Sequence, residues 1–254
     1  GTGKTAAFAL PIIERLLAGR GQNPRALILA PTRELAIQIH SEILMLAQYT
    51  NIRAITIFGG VNAGPQIREL RKRPDIIVAC PGRLLDLMSS RDVNLDGVEV
   101  LVLDEADHML DMGFIPDIKR IVARMPKDRQ NLLFSATMPR EIRSLTSGML
   151  RDPHVVELAH AAPLETIAHA LYPVEHPDKT ALLKHILKND NFTSAIVFLR
   201  TKHRARRLAE VLSKTGINAI ALQGNMSQAQ RQRAMQGFRD GRYEVLVATD
   251  IAAR

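Results

Sequence analysis

Eight short runs rich in Val, Ile and Leu recur along this 254-residue chain, each separated from the next by longer stretches that include amphipathic helical patterns. No other feature narrows the fold as much. A run that is apolar at nearly every position, not at every second one, must be buried on both faces, and parallel strands covered by crossover helices achieve that. RALILA (25–30), IRAITIF (52–58), DIIVAC (75–80), VEVLVL (98–103) and QNLLF (130–134) form one series. SAIVFL (194–199), NAIAL (218–222) and YEVLVA (243–248) form a second. Between them lies RDPHVVELAHAAPLETIAHALYPVEHP, whose four prolines interrupt any regular element. The expectation is α/β with two parallel-sheet lobes in tandem, 1–158 and 167–254, joined by a linker at 159–166. The length suits two cores of ordinary size. Both sheets read as cut short, the first because nothing precedes the opening GTGKT, the second because the chain stops just after its third run.

Charge indicates the kind of partner. Lys and Arg number 34 against 26 Asp and Glu, a net charge of +8, which favours a polyanion such as nucleic acid. Aromatic residues are only 4% and Trp is absent, so a surface that stacks bases on exposed rings is disfavoured and the sugar-phosphate backbone is the expected handle. A single cysteine, Cys80, excludes an internal disulfide and fits a reducing, cytoplasmic setting. The 8 histidines follow no zinc-ligand spacing. No apolar run reaches the length of a membrane span, and no signal-peptide pattern opens the chain, so no membrane partner is expected.

Ligands of α/β sheets bind at the carboxyl ends of the strands, so residues just past each apolar run carry the chemistry. Gly3, Lys4 and Thr5, preceded by Gly1 and Thr2, match the end of the pattern G-x-x-x-x-G-K-[ST], whose N–H groups and lysine hold nucleotide phosphates. Taken alone, the triplet also fits a flexible tail before a helix. Past the fourth run stand Asp104, Glu105, Ala106 and Asp107. Such acids can hold a hydrated Mg²⁺ and orient an attacking water, or can merely complement a helix N-terminus. Phosphate cradle and metal-side carboxylate in one domain make a nucleoside triphosphatase site, because each supplies what the other needs.

At this point the chain resembles the DEAD-box ATP-dependent RNA helicases of superfamily 2, whose name spells Asp104 to Asp107. The likeness runs through an ordered set: GTGKT, PTRELA (31–36), GG (59 and 60), PGR (81–83), DEAD, SAT (135–137), QAQR (228–231) and ATDIAAR (248–254). RALILAPTRELA, LLDLMSS, DEADHMLDMGF and RQNLLFSATMP look most like the bacterial RhlE-type branch. The resemblance implies two RecA-like lobes in a piece of a longer protein. It lacks the upstream glutamine element that reads adenine, the strand entering the phosphate loop, and the arginine-rich element beyond Arg254.

The resemblance also assigns roles. Gly1, Thr2, Gly3, Lys4, Thr5 and Asp250 would bind ATP, with Lys4 on the β- and γ-phosphates and Asp250 on the ribose. Thr5 would ligate Mg²⁺ and Asp104 would hold it through water, while Glu105 would polarise the hydrolytic water. Lys4, Asp104 and Glu105 form the catalytic set. Asp107 would pair with Ser135 or Thr137 and couple nucleotide state to lobe closure. Thr32, Arg33, Gly60 and Arg83 would line an RNA path on the first lobe, and Arg200, Gln228, Arg231 and Thr249 one on the second. Binding would be through the RNA backbone, with little sequence specificity. Ribonucleoprotein or RNA-degradation partners would be compatible. The activity so implied is RNA-dependent ATP hydrolysis coupled to local duplex unwinding. A weak or inactive RNA-binding fragment and a DNA-directed helicase or translocase are the alternatives. A P-loop kinase or transport ATPase would leave the QAQR and ATD elements without a purpose.

Other features are read structurally. RTKHRARRLAEVLSKTG predicts an amphipathic helix with Ala205, Leu208, Ala209 and Leu212 on its inner stripe and a basic outer face. Met109, Met112 and Phe114 are expected in the core, and Thr137 is a possible cap for the helix that follows it. Cys80 stands where the family usually has threonine, which removes a hydroxyl from the RNA path. Gln223 stands where histidine is common.

Overall fold

A computed structural model describes residues 3–19, 21–157, 168–189 and 192–249. Two compact units divide the chain, Gly1–Val156 and Glu157–Arg254. The expected linker at 159–166 lies outside the described residues.

In the first unit the order is α1 (Lys4–Ala18), β1 (Ala26–Leu29), α2 (Arg33–Leu46), β2 (Ala54–Ile57), α3 (Ala63–Leu70), β3 (Ile76–Ala79), α4 (Pro81–Ser89) and β4 (Val100–Leu103). Then come α5 (Ala106–Asp111), α6 (Ile115–Val122), β5 (Gln130–Leu133) and α7 (Arg140–Met149). The sheet is parallel with strand order β2-β3-β1-β4-β5. Position in that order explains the sequence patterns. Central β1, β3 and β4 are buried at every residue, whereas the edge strand β2 alternates and the edge strand β5 is only partly covered.

Because successive side chains point to opposite faces, each central strand feeds two cores. Leu27, Leu29, Ile77 and Leu101 meet Leu84 of α4, Met109 of α5, Ile118 of α6 and Ile142 of α7 on one face. Ile28, Val78 and Val102 meet Phe8 and Ile12 of α1 and Ile39 and Ile43 of α2 on the other. Phe114 packs against the first of these cores. Met112, expected in the core, is instead exposed at the C-cap of α5, since the helix ends there and turns away at Gly113.

The amino edge of this sheet is braced by a side chain whose sequence context gave no signal. Arg25, 6% exposed, donates to both Glu99 carboxylate oxygens, from Nε at 2.7 Å and Nη2 at 3.1 Å. Its Nη1 donates to the carbonyls of Leu16 and Gly19, both at 2.9 Å, satisfying the C-terminus of α1. The pair shifts its members apart as expected, the Glu99 carboxyl down and the Arg25 guanidinium up, through their shared hydrogen bond. Gly97 is required nearby, because a Cβ there would come 1.8 Å from the Gln22 carbonyl oxygen.

The second unit contains a short 3-10 turn (His176–Asp178), α8 (Lys179–Asn189), β6 (Ala195–Leu199), α9 (Lys202–Ser213), β7 (Ala219–Leu222), α10 (Gln228–Arg239) and β8 (Val245–Thr249). Its parallel sheet has the order β6-β8-β7. Ala205, Ala209 and Leu212 of α9 pack on Val245 and Val247, with Leu208 partly buried beside them. Ala234 of α10 packs on Leu246 and Ala248 from the opposite face. The expected amphipathic helix is therefore α9. The last strand runs one residue further than the apolar run, taking in Thr249.

Candidate functional site

In a parallel sheet every strand ends on the same edge, so the polar residues after each apolar run are gathered by topology alone. In the first unit that edge carries Thr32 and Arg33 after β1, Gly60 after β2, Arg83 after β3, Asp104 after β4, and Ser135 and Thr137 after β5. Gly3 and the first residues of α1, Lys4 and Thr5, complete the set. Gly1 and Thr2 lie outside the described residues.

Gly3 is the N-cap of α1 with φ 72°, a left-handed conformation that glycine adopts without a Cβ penalty. A Cβ there would meet nothing within 4 Å, so the backbone conformation and not crowding selects glycine. The first turn of α1 presents N–H groups with no intrahelical acceptor, a ready anion site. Lys4 and Thr5 are both half-buried.

Asp104 is 4% exposed at the end of β4, and its Oδ1 accepts the Glu105 N–H at 3.0 Å. Burial pushes its carboxyl pKa up, while the Lys4 ammonium, near enough to act electrostatically, pulls it back. Those two groups therefore share one electrostatic environment, as a phosphate-and-metal site requires. Glu105 takes φ 52°, ψ 55°, the left-handed region, and serves as N-cap of α5. Its carboxylate Oε2 lies 3.2 Å from Nδ1 of His108, a ring 7% exposed. Sequence reasoning missed His108. The signal was the three-residue spacing, which puts both side chains on one helical face.

Asp107 joins two elements. Its Oδ2 accepts from the Thr137 N–H and Oγ1, both at 3.1 Å, and its own N–H donates to Ser135 Oγ at 3.2 Å. Ser135 Oγ in turn donates to the Thr137 carbonyl at 2.6 Å. Burial alone would raise the Asp107 pKa, but the Thr137 and Ser135 hydrogen bonds, with backbone N–H groups, leave it below its ordinary value. Thr137 does not cap α7, whose N-cap is Pro139 without a side-chain bond. Its hydroxyl is taken by Asp107.

Thr32 is the N-cap of α2, its side chain accepting the Leu35 N–H at 3.2 Å. Arg33 lies over the Phe58 ring, 4.4 Å from its centroid. Arg83, 15% exposed, donates through Nη2 to the Val61 carbonyl at 3.0 Å. Arg33 and Arg83 thus hold the two ends of the same 58–61 loop, which contains Gly60 at φ 78°. Gln66 fixes that loop at its base, bonding both the N–H and the carbonyl of Phe58. Phe58 and Gln66 were not foreseen, since neither stands directly after an apolar run with a charge to mark it. Cys80 is the N-cap of α4, and burial raises its thiol pKa to about 12, so it stays protonated at neutral pH.

In the second unit Arg200 follows β6 and is exposed, while Thr249 ends β8 opposite Leu199 and is 8% exposed. The first turn of α10, which follows β7, carries Gln228 and Arg231. Of the Gln228 side chain nothing is described, and Asp250 lies outside the described residues. Topology places Arg200, Arg231 and Thr249 at one sheet edge, but no described bond joins them directly.

Among the described residues no three His, Cys, Asp or Glu side chains gather to hold a metal by themselves. One buried carboxylate and one hydroxyl, Asp104 and Thr5, are hard oxygen donors of the kind that suit Mg²⁺, which takes its remaining oxygens from phosphates and water. No helix among the described residues is long and apolar enough to cross a membrane.

The geometry agrees with what the chain is similar to. The DEAD/DEAH box helicase model matches residues 1–145 and the helicase conserved C-terminal domain matches residues 178–254. The ATP-dependent RNA helicase RhlB of Pseudomonas aeruginosa is 43% identical over all of this chain and 66% of its own length. The DEAD-box ATP-dependent RNA helicase CshA of Bacillus subtilis is 43% identical over all of this chain and 51% of its own length. The chain therefore spans between about half and two thirds of these relatives. Among solved structures, Saccharomyces cerevisiae Dbp5 bound to RNA and ADP BeF3 matches with TM-score 0.81 at 32% identity, covering 100% of this chain and 64% of that one. A DEAD box protein from Methanococcus jannaschii matches with TM-score 0.59 at 40% identity, covering 100% and 68%. Family models that together take in most of its residues, and named relatives 43% identical over its whole length, make this chain a member of the DEAD-box helicase family.

Proposed function

We propose that the protein containing this chain is an RNA-dependent ATPase that couples ATP binding and hydrolysis to lobe closure and local unwinding of RNA. The observation that carries this is the strand-end edge where Asp104, buried after β4, and Glu105, in a left-handed backbone conformation, stand with the start of α1 and its Lys4. In this reading the α1 N-terminus and Lys4 bind the ATP phosphates, and Thr5 with Asp104 holds Mg²⁺. When bound, the ion offsets charge on the phosphates. Glu105, steadied by His108, orients the attacking water and takes its proton. Asp107, through Ser135 and Thr137, transmits the state of that edge to the loop after β5.

RNA backbone binding by Thr32, Arg33, Gly60 and Arg83 is supported by the shared 58–61 loop, and Arg200, Gln228, Arg231 and Thr249 extend the same role to the second unit. Gly1, Thr2 and Asp250 complete the ATP contacts. The RhlE-type branch, a cytoplasmic location, and ribonucleoprotein or RNA-degradation partners belong to this reading. It draws on the tracts RALILAPTRELA, LLDLMSS, DEADHMLDMGF and RQNLLFSATMP, on the single, partly buried thiol Cys80, and on the similarity to the RNA helicases RhlB and CshA.

Linkage requires that ATP and RNA strengthen each other's binding if one conformational change serves both. A fluorescent ATP analogue titrated with and without poly-uridine is expected to bind about tenfold more tightly with the RNA, from a coupling of about 1.4 kcal/mol. Equal affinities would remove the coupling from the proposal. Competition with DNA of the same sequence separates an RNA enzyme from a DNA translocase.

A further inference from the structure

The second unit carries a cleft of about 740 Å³, and of the described RNA-path residues of that unit, Arg200, Arg231 and Thr249, none lines it. It opens beside β7, the edge strand in the order β6-β8-β7. A sheet edge offers backbone N–H and carbonyl groups for a further strand. Ile220 and Ala221 of β7 are half-buried there, and Met226 and Tyr243 continue the apolar floor. Tyr243 is held firmly, because its ring lies against α10 where a Cβ at Gly237 would be 2.6 Å from Cε2.

The rim has the opposite character. Lys202 and Arg206 come from α9, Arg233 from α10, and Arg242 from the turn before β8, and among the described residues no acidic one lines the cleft. Arg206 pairs with Glu210 at 2.9 Å outside it, and Lys202 donates to Asn225 at 3.1 Å. Arg233 and Arg242 are both exposed. Four cations around an apolar floor at a strand edge ask for a ligand that is extended, acidic and apolar at one point.

We propose that this cleft docks an extended acidic peptide from a partner protein, its backbone lying along β7, one large apolar side chain on the floor, and flanking carboxylates on the four cations. A phosphate backbone would use the rim but leave the floor of Ile220, Ala221 and Met226 empty. Backbone pairing supplies affinity in such complexes and alternate side chains supply specificity.

The test starts from a displayed library of random peptides selected on the purified chain. The strongest enriched peptide is then synthesised and its binding measured by fluorescence anisotropy. Enriched sequences are expected to be acidic with one large aliphatic or aromatic residue. Replacing that residue by alanine should weaken binding about tenfold, and the double variant Arg233→Gln/Arg242→Gln should do likewise. Both arginines are exposed, so an unchanged melting temperature is expected for the double variant, and the loss would not reflect unfolding. No enrichment, enrichment of basic sequences, or equal binding by the double variant would overturn the proposal. So would displacement of the peptide by oligo-uridine with the RNA path residues Arg200 and Arg231 changed to alanine, which would mark the cleft as a phosphate site.

Discussion

At the scale of single residues, Glu105 carries the sharpest prediction, because its backbone and its side chain serve different ends. A left-handed non-glycine residue costs about 1 kcal/mol, and here that strain falls on the carboxylate proposed to act as base. Glu105→Gly should therefore stabilise the first unit by about 1 kcal/mol in a denaturant titration. Glu105→Gln should retain ATP analogue binding while turnover falls by about 10² to 10⁴. A Gln variant that hydrolyses ATP at the parent rate would end the assignment of Glu105 as base. Asp104 gives a pH prediction of definite sign. Burial raises its pKa above that of the unfolded chain, so between the two values the folded protein keeps a proton that the unfolded chain has lost. Its contribution is full below the unfolded carboxyl range and is lost as pH rises through the folded value. Asp104→Asn should melt higher than the parent at neutral pH, and the two curves should converge in acid. A lower melting temperature for Asn at neutral pH would contradict the burial argument.

At the scale of elements, the eight apolar runs were legible because buried parallel strands leave few polar positions, and all eight are strands in the expected order. Their limits shrink by one or two residues at most ends, since the flanking residues, Arg25 and Phe58 among them, turn their side chains to other tasks. Polar contacts were harder to read. Arg25 and Glu99 meet only because β1 and β4 are neighbours in register, a fact that no local pattern carries. Arg25→Met should cost about 3 kcal/mol in thermal or denaturant unfolding, because Glu99 and the α1 carbonyls all lose their donor together. A cost below about 1 kcal/mol would mean that water replaces the guanidinium without penalty. Thr137 shows the converse limit. A capping residue was reasonable from its neighbours, yet the hydroxyl answers to Asp107, thirty positions away in the chain.

At the scale of the molecule, the excess of basic residues becomes a statement about RNA binding strength. Each phosphate neutralised on a single strand steepens the log–log salt dependence by about 0.7. Four arginines, Arg33, Arg83, Arg200 and Arg231, should give a slope near about −3, and removal of Arg83 or Arg231 should each make it shallower by about 0.7. A slope unchanged by either substitution would take that arginine off the RNA path. The same first unit is fastened unevenly. The guanidinium of Arg25 clamps a helix end and two strands on the side where the strands begin, whereas the groups proposed to hold the nucleotide stand where the strands finish. If the proposed nucleotide turnover moves the tip of α1 and the neighbouring loops, this clamp ties the other end of α1 to the starts of β1 and β4, so that such movement would leave the base of the unit in place.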